Sequence, residues 1–171
     1  LNETLPTLLE LKKQGVIKAI GVGMNEWEML LEFAKNGEFD CFLLAGRYTL
    51  LDYSALDKLL PICLKKEISI IIGGPYNSGI LASDLDKKST YFYEPSPSEI
   101  ILKAKKIKKI CDKFNVPLKA AALQFGLNHP SVASTIPGPR NPEEIVENLE
   151  MLSYKIDPKL WVDLEENKLI P

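Results

Sequence analysis

At 171 residues the chain is long enough for one domain with a sizeable core and short for two. With 46% hydrophobic and 26% charged residues it has an ordinary globular composition, and a net charge of −2 excludes an overall field that would recruit nucleic acid or an anionic membrane. No apolar run reaches the roughly 18 residues of a membrane span, no signal-peptide pattern is present, and Cys41, Cys63 and Cys111 are too widely spaced for a disulfide framework or a zinc site, so a reducing cytoplasm is expected.

The chain starts on Leu1 rather than methionine, and is expected to be processed, trimmed or a piece of something longer. Asn2 to Gln14 carries Leu5, Leu8, Leu9 and Leu11 at helical spacing, ends on Lys12 and Lys13 and stops at Gly15, which predicts a helix. Val16 to Val22 is a short apolar run closing on glycine, as a buried parallel strand would. Asn25 precedes EWEMLLEFAKN, where Trp27, Leu30, Leu31 and Ala34 share one face, and this second helix closes at Gly37. Phe39 to Leu44 is the next strand and runs into Arg47 to Asp52. Asp57 to Lys66 is helical provided that Pro61 lies within the first turn. Ile68 to Ile72 is the most β-branched stretch, is bounded by Gly73-Gly74-Pro75, and should be the most buried strand. Tyr76 to Leu81 follows as a loop, and the polar stretch 82–97 reads as mobile and irregular.

Ile100 to Phe114 is an amphipathic helix entered through Ser98 and Glu99, with Lys103, Lys105, Lys106, Lys108 and Lys109 on a solvated face. Pro117 to Asn128 is an Ala/Leu-rich helix ended by His129 and Pro130. His129, the only histidine, is expected to cap that helix end rather than to catalyse. Val132 to Ile136 is strand-like, and Pro137-Gly138-Pro139 forces a sharp turn. Asn141 suits an N-cap, Pro142 the first helical position, and Glu143 and Glu144 the first turn, where the helix dipole favours negative charge. Backbone N–H groups at such a helix mouth suit an anion or a ribose-phosphate edge, although a well-capped helix after a strand explains the same residues. A last helical pattern spans Asp157 to Lys168. Strand and helix alternate at least four times with no hairpin signal, which means βα units and a parallel sheet.

Parallel βα repeats leave open a doubly wound sheet or a barrel, and Gly21-Val22-Gly23 lacks the third glycine of a dinucleotide fingerprint. The segments LLELKKQGVIKAIGVGMN, LLAGRYTLLD, ISIIIGGPYNSGILA and AALQFGLNHPSVASTIPGPRNPEEIVENL, in that order over nearly the whole chain, resemble the C-terminal half of aldo-keto reductases. GVGMNEW and AGRYTLLD are most similar to the branch that includes D-threo-aldose 1-dehydrogenases, L-fucose and L-galactose dehydrogenases and pyridoxal 4-dehydrogenases. The resemblance implies an α/β fold, a parallel (βα)8 TIM barrel, of which residues 1–171 supply strands five to eight and their outer helices. It also implies a nicotinamide-dependent oxidoreductase acting on an aldose or another aldehyde.

By position, the resemblance places Asn25 at the nicotinamide carboxamide. Gly74, Tyr76, Ser78 and Gly79 fall around the pyrophosphate, Gly138, Arg140 and Glu144 at the adenosine ribose, and Glu147 and Asn148 at the adenine amino edge. The family often has a basic residue for a 2′-phosphate where Glu144 stands. A carboxylate accepts hydrogen bonds from free ribose hydroxyls and repels a dianionic phosphate, which implies NAD over NADP, with Arg140 as the opposing feature. Ala45 and Gly73 stand where the family often has a glutamine and an aromatic that grip the nicotinamide. The family's catalytic aspartate, tyrosine, lysine and histidine belong to its first four strands. No catalytic residue is therefore expected here, and Tyr48, Tyr53 and Tyr76 have no lysine or histidine at a matching motif position. No metal is expected. The implied partners are the small-molecule substrate and either a missing N-terminal half-barrel or another copy paired through open strand edges. Two alternatives remain: a non-catalytic nucleotide-binding or regulatory module of the same fold, and a different half-barrel that binds phosphate in the loops after strands seven and eight.

Overall fold

A computed structural model of the chain describes residues 1–85 and 89–171. Its elements run α1 (Thr4–Lys13), β1 (Gly21–Met24), α2 (Trp27–Asn36), β2 (Cys41–Ala45), α3 (Leu59–Lys65) and β3 (Ser69–Gly73). A small hairpin follows, β4 (Thr90–Tyr91) and β5 (Glu94–Pro95), then α4 (Ser98–Lys113), α5 (Leu118–Phe125), β6 (Val132–Ile136), α6 (Pro142–Ser153) and α7 (Lys159–Glu166). The main sheet has the order β1-β2-β3-β6 with every pairing parallel, so β1 and β6 each have a strand neighbour on one side. This is the α/β, parallel architecture that the alternation of patterns requires.

One face of the sheet makes the core. Phe42, Leu44, Ile70 and Ile72 are fully buried against Leu30, Leu59, Leu60, Ala104, Ile107, Leu160 and Leu164 of the surrounding helices. Gly126, just past α5, lets that turn close on Ile72, because a side chain there would collide with the isoleucine. The opposite face carries Cys41, Leu43, Ala45, Ser69 and Ile71, which stay half-buried. A four-stranded parallel sheet with one covered face and two unpaired edges has the geometry of half a barrel. β3, with a partner on each side, is the buried central strand, and Pro61 lies within the first turn of α3.

Several elements differ from the sequence reading. β1 starts at Gly21, not Val16, because Val16 leaves α1 through a Gly15 turn and is exposed. The Asp40 carboxylate then takes the Ile20 N–H at 2.7 Å in place of a strand partner, and Lys12 beside it holds the Asp40 carboxyl below its usual range. β1 is also an edge strand with alternating exposure, not a buried one. Ser98 is the first residue of α4 and Pro97 its N-cap, with no side-chain cap bond, so Ser98 lies inside the helix that it is expected to open. Lys103 leaves the solvated lysine face, donating to the Leu51 carbonyl at 3.1 Å and the Tyr53 hydroxyl at 3.2 Å.

The stretch 82–97, expected to be irregular, contains the hairpin; residues 86–88 lie outside the described residues. Its turn carries Phe92 and Tyr93 at φ 50° and 64°, the conformation usually given to Asn-Gly or Gly-Gly, which is why no hairpin signal stands in the sequence. Ordinary side-chain contacts hold it. Thr90 Oγ1 donates to the Ser78 carbonyl at 2.8 Å, the Tyr93 N–H donates to Ser78 Oγ at 3.1 Å, and the Arg47 guanidinium lies 4.1 Å from the centre of the Phe92 ring. Among the described residues no helix is long and apolar enough to cross a membrane.

Candidate nucleotide site

Chain punctuation builds the site where β3 and β6 end. After β3, Gly74 breaks the strand and the chain turns through Asn77, Ser78 and Gly79 at φ 47°, 59° and 94°. Two consecutive non-glycine residues in the left-handed region cost on the order of 1–3 kcal/mol each, and such strain clusters at ligand sites. After β6, Gly138 at φ 69° redirects the chain into α6. Asn141 caps that helix, accepting from the Glu144 N–H at 2.8 Å with Pro142 at the first position, as its sequence dictates.

Between these two corners lies a cavity of about 700 Å³. Of the residues expected at a cofactor, Gly74, Tyr76, Ser78, Gly79, Gly138, Arg140, Glu144 and Asn148 line it. Space around Gly79 and Gly138 is open within 4 Å of where a Cβ would stand, so both present bare backbone to it. Asn25 does not join them: it follows β1, and its carbonyl accepts from Arg47 Nε at 3.3 Å. Glu147 also lies off the wall, behind Lys119, whose ammonium donates to it at 2.5 Å.

The polar groups are already engaged with one another. The Tyr76 hydroxyl donates to Asn148 Oδ1 at 2.6 Å, and burial, then the Glu147 charge, pushes the Tyr76 phenol up to about 12. That bond turns the Asn148 amide nitrogen away from the tyrosine. Arg140 donates to Glu144 from its backbone N–H and its Nη2, each at 2.8 Å, and from Nε at 3.2 Å. These bonds hold the Glu144 carboxyl below its usual range. Ser78 Oγ accepts from Tyr93 and so anchors the hairpin, keeping its own proton and a second lone pair for a ligand.

Sequence reasoning missed Lys119, Ser83, Ser89, Thr90 and Tyr93, which also line the cavity. Lys119 left a trace as the single charge in PLKAAALQFGLN, whereas the hairpin residues left none. His129 is the C-cap residue of the 3-10 turn, Gly126–Asn128, that prolongs α5, its backbone N–H donating to the Gly126 carbonyl, while its side chain turns the other way. Its Nδ1 accepts from the Ser131 N–H at 3.2 Å and meets Ser131 Oγ at 2.8 Å, and burial lowers its pKa. Tyr53 has Lys103 beside it and Tyr48 has His129 edge-on with centroids 5.8 Å apart, yet neither tyrosine lines the cavity. Among the described residues no three His, Cys, Asp or Glu side chains gather as a metal would need.

Residues 1–167 match the model of the aldo/keto reductase family. The chain belongs to that family. It is 39% identical over 163 residues to pyridoxal 4-dehydrogenase of Microbacterium luteolum, covering 95% of this chain and 48% of that protein. It is 35% identical over 172 residues to D-threo-aldose 1-dehydrogenase of a Pseudomonas species, covering 100% of this chain and 52% of that protein. Among solved structures it superposes on the holo form of aldo-keto reductase AKR11C1 from Bacillus halodurans with a TM-score of 0.79 at 21% identity, over 99% of this chain and 56% of that one. This aldo/keto reductase chain thus spans about half the length of the curated relatives it matches. Its four-stranded sheet corresponds to part of their barrel fold.

Proposed function

We propose that the chain is the nucleotide-holding, C-terminal half of a nicotinamide-dependent aldo/keto reductase, carrying strands five to eight of the barrel. The observation that carries this is the cavity between the β3 and β6 corners. Its volume of about 700 Å³ suits a nucleotide, backbone is bare at Gly79 and Gly138, and the mouth of α6 opens on it. Gly74, Ser78 and Gly79 hold the pyrophosphate, Glu144 and Gly138 face the ribose, and Asn148 faces the adenine. When bound, the nicotinamide takes or gives the hydride. The substrate carbon is an aldehyde or hemiacetal, in keeping with the names of the two dehydrogenases above.

NAD is preferred to NADP, because the Arg140 guanidinium that a 2′-phosphate would require is committed to Glu144. Titration of the purified chain with each dinucleotide, followed by the fluorescence of Trp27 and Trp161, tests this. NAD should bind at least about tenfold tighter, a difference of roughly 1.4 kcal/mol. Equal or tighter binding of NADP overturns the preference, and binding of neither overturns the nucleotide site.

The chain does not turn over by itself. The Tyr76 hydroxyl that lines the cavity is bonded to Asn148, and the Lys103–Tyr53 hydrogen bond lies away from the cavity. The same observation favours the second reading, a module that binds a nucleotide without catalysing. Dehydrogenase assays of the chain, alone and with a complementing half, separate the two.

A further inference from the structure

A second cavity, of about 260 Å³, lies apart from the first and shares no lining residue with it. Its walls come from the loop after β2, from the end of α5 with the turn that follows, and from α7. Four rings run side by side along it. The centroids of His129 and Tyr48 are 5.8 Å apart and edge-on, those of Tyr48 and Phe125 are 5.2 Å apart, and those of Phe125 and Trp161 are 6.3 Å apart. Glu165 stands one helical turn after Trp161, on the same face of α7, and also lines the cavity.

Packing accounts for the rings but not for their polar ends. Tyr48 is only 6% exposed, yet its hydroxyl, like the Trp161 indole N–H and the Glu165 carboxylate, has no hydrogen-bond partner among the described residues. Neither the hydroxyl nor the indole nitrogen is sealed off, since the fully buried unpartnered side-chain atoms among the described residues belong to Asn77, Ser96 and Thr135. His129 is fixed as a donor. Its Nδ1 accepts the Ser131 N–H and burial lowers its pKa, so the neutral ring carries its proton on Nε2. Glu165 is then the one charged side chain of this wall among the described residues. Aromatic faces beside a carboxylate favour an organic cation, and the N–H donors call for an acceptor on the same ligand.

We propose that this second cavity binds a small organic ammonium ion that carries a hydroxyl, an amino alcohol or its quaternary form. The charge lies against the rings of Phe125 and Trp161 with Glu165 as its counterion, and the ligand hydroxyl accepts from the N–H donors of the wall. The two cavities are separate, so this site stands or falls apart from the nucleotide site.

The test is titration of the 171-residue chain with three probes, followed by the NMR signals of the Trp161 and Trp27 indole N–H groups. The probes are choline, dimethylbutanol, in which carbon replaces the charged nitrogen, and tetramethylammonium, which lacks the hydroxyl. Choline should shift Trp161 saturably with a dissociation constant on the order of 1 mM and leave Trp27, which lies outside the cavity, in place. It should bind about tenfold tighter than dimethylbutanol and about threefold tighter than tetramethylammonium. Glu165→Gln, a change on an exposed position that leaves the fold alone, should weaken choline about threefold without changing dimethylbutanol. No shift at Trp161, or equal shifts at both tryptophans, overturns the site. Equal binding of choline and dimethylbutanol overturns the cation, and equal binding of choline and tetramethylammonium overturns the hydroxyl. Unchanged choline binding in Glu165→Gln overturns the counterion.

Discussion

Strand β3 has a partner on each side and sends Ile70 and Ile72 into the helices, whereas α6, which frames the cavity, buries no residue at all. Its Ile145, Val146, Leu149 and Leu152 remain 42–60% exposed, and Met151 leans on the core from its last turn. Polar clips do the work that burial does elsewhere. Gln124 Nε2 donates to the Met151 and Tyr154 carbonyls at 2.8 and 2.9 Å, Tyr76 donates to Asn148, and the Tyr154 hydroxyl donates to the Asn115 carbonyl at 2.6 Å. The site therefore joins a rigid wall, the β3 end, to one held by a few hydrogen bonds that each contribute about 1 kcal/mol.

The largest effect separates the two regions directly. Ile70→Ala should cost about 2–5 kcal/mol, because a fully buried side chain leaves a cavity, whereas Leu149→Ala should stay within about 0.5 kcal/mol. Urea midpoints of the two variants check this, and a comparable loss from Leu149→Ala would mean that this part of α6 is covered in solution. Asn141→Ala comes next, with an expected cost of about 1 kcal/mol from the lost cap. If clips secure α6, that loss appears as faster amide exchange confined to α6, with β3 protection unchanged. Uniform loss of protection would instead make the helix part of one cooperative unit with the sheet.

The same contrast governs what was legible in the sequence. The β-branched run at 68–72 and the Asn-Pro-Glu-Glu start of α6 state their structures locally, through strand preference, fixed proline geometry and a side-chain cap. The corners of the cavity were legible for a similar reason, since Gly74, Gly79 and Gly138 all take positive φ. The hairpin was not, because Phe92 and Tyr93 occupy a turn conformation that their residue types do not announce and that contacts with Ser78 and Arg47 impose. Lys119 was missed for a different reason. Only the packing of α5 beside α6 brings it to Glu147, 28 residues away in the chain. Val16 to Ala19 misled because an apolar run reads as a strand wherever no partner is in view.

The smallest expected effect concerns the turn that feeds β6. His129 Nδ1 accepts from the Ser131 N–H, so that nitrogen is bare in the folded chain, and burial lowers the imidazole pKa from its ordinary 6.5. The unfolded chain then takes up the proton at a higher pH than the folded one. Stability from this group is complete above about 6.5 and declines as the pH falls from there toward the folded value. Urea midpoints measured at pH 7.5 and 5.5 should show that decline in the wild-type chain and a shallower one in His129→Gln, whose amide oxygen can still accept from Ser131. Equal declines would assign the proton uptake to other groups. A decline that also erodes protection of α6 would show that the β6 turn and the cavity helix open together, removing the distinction between the buried and the clipped halves of the site.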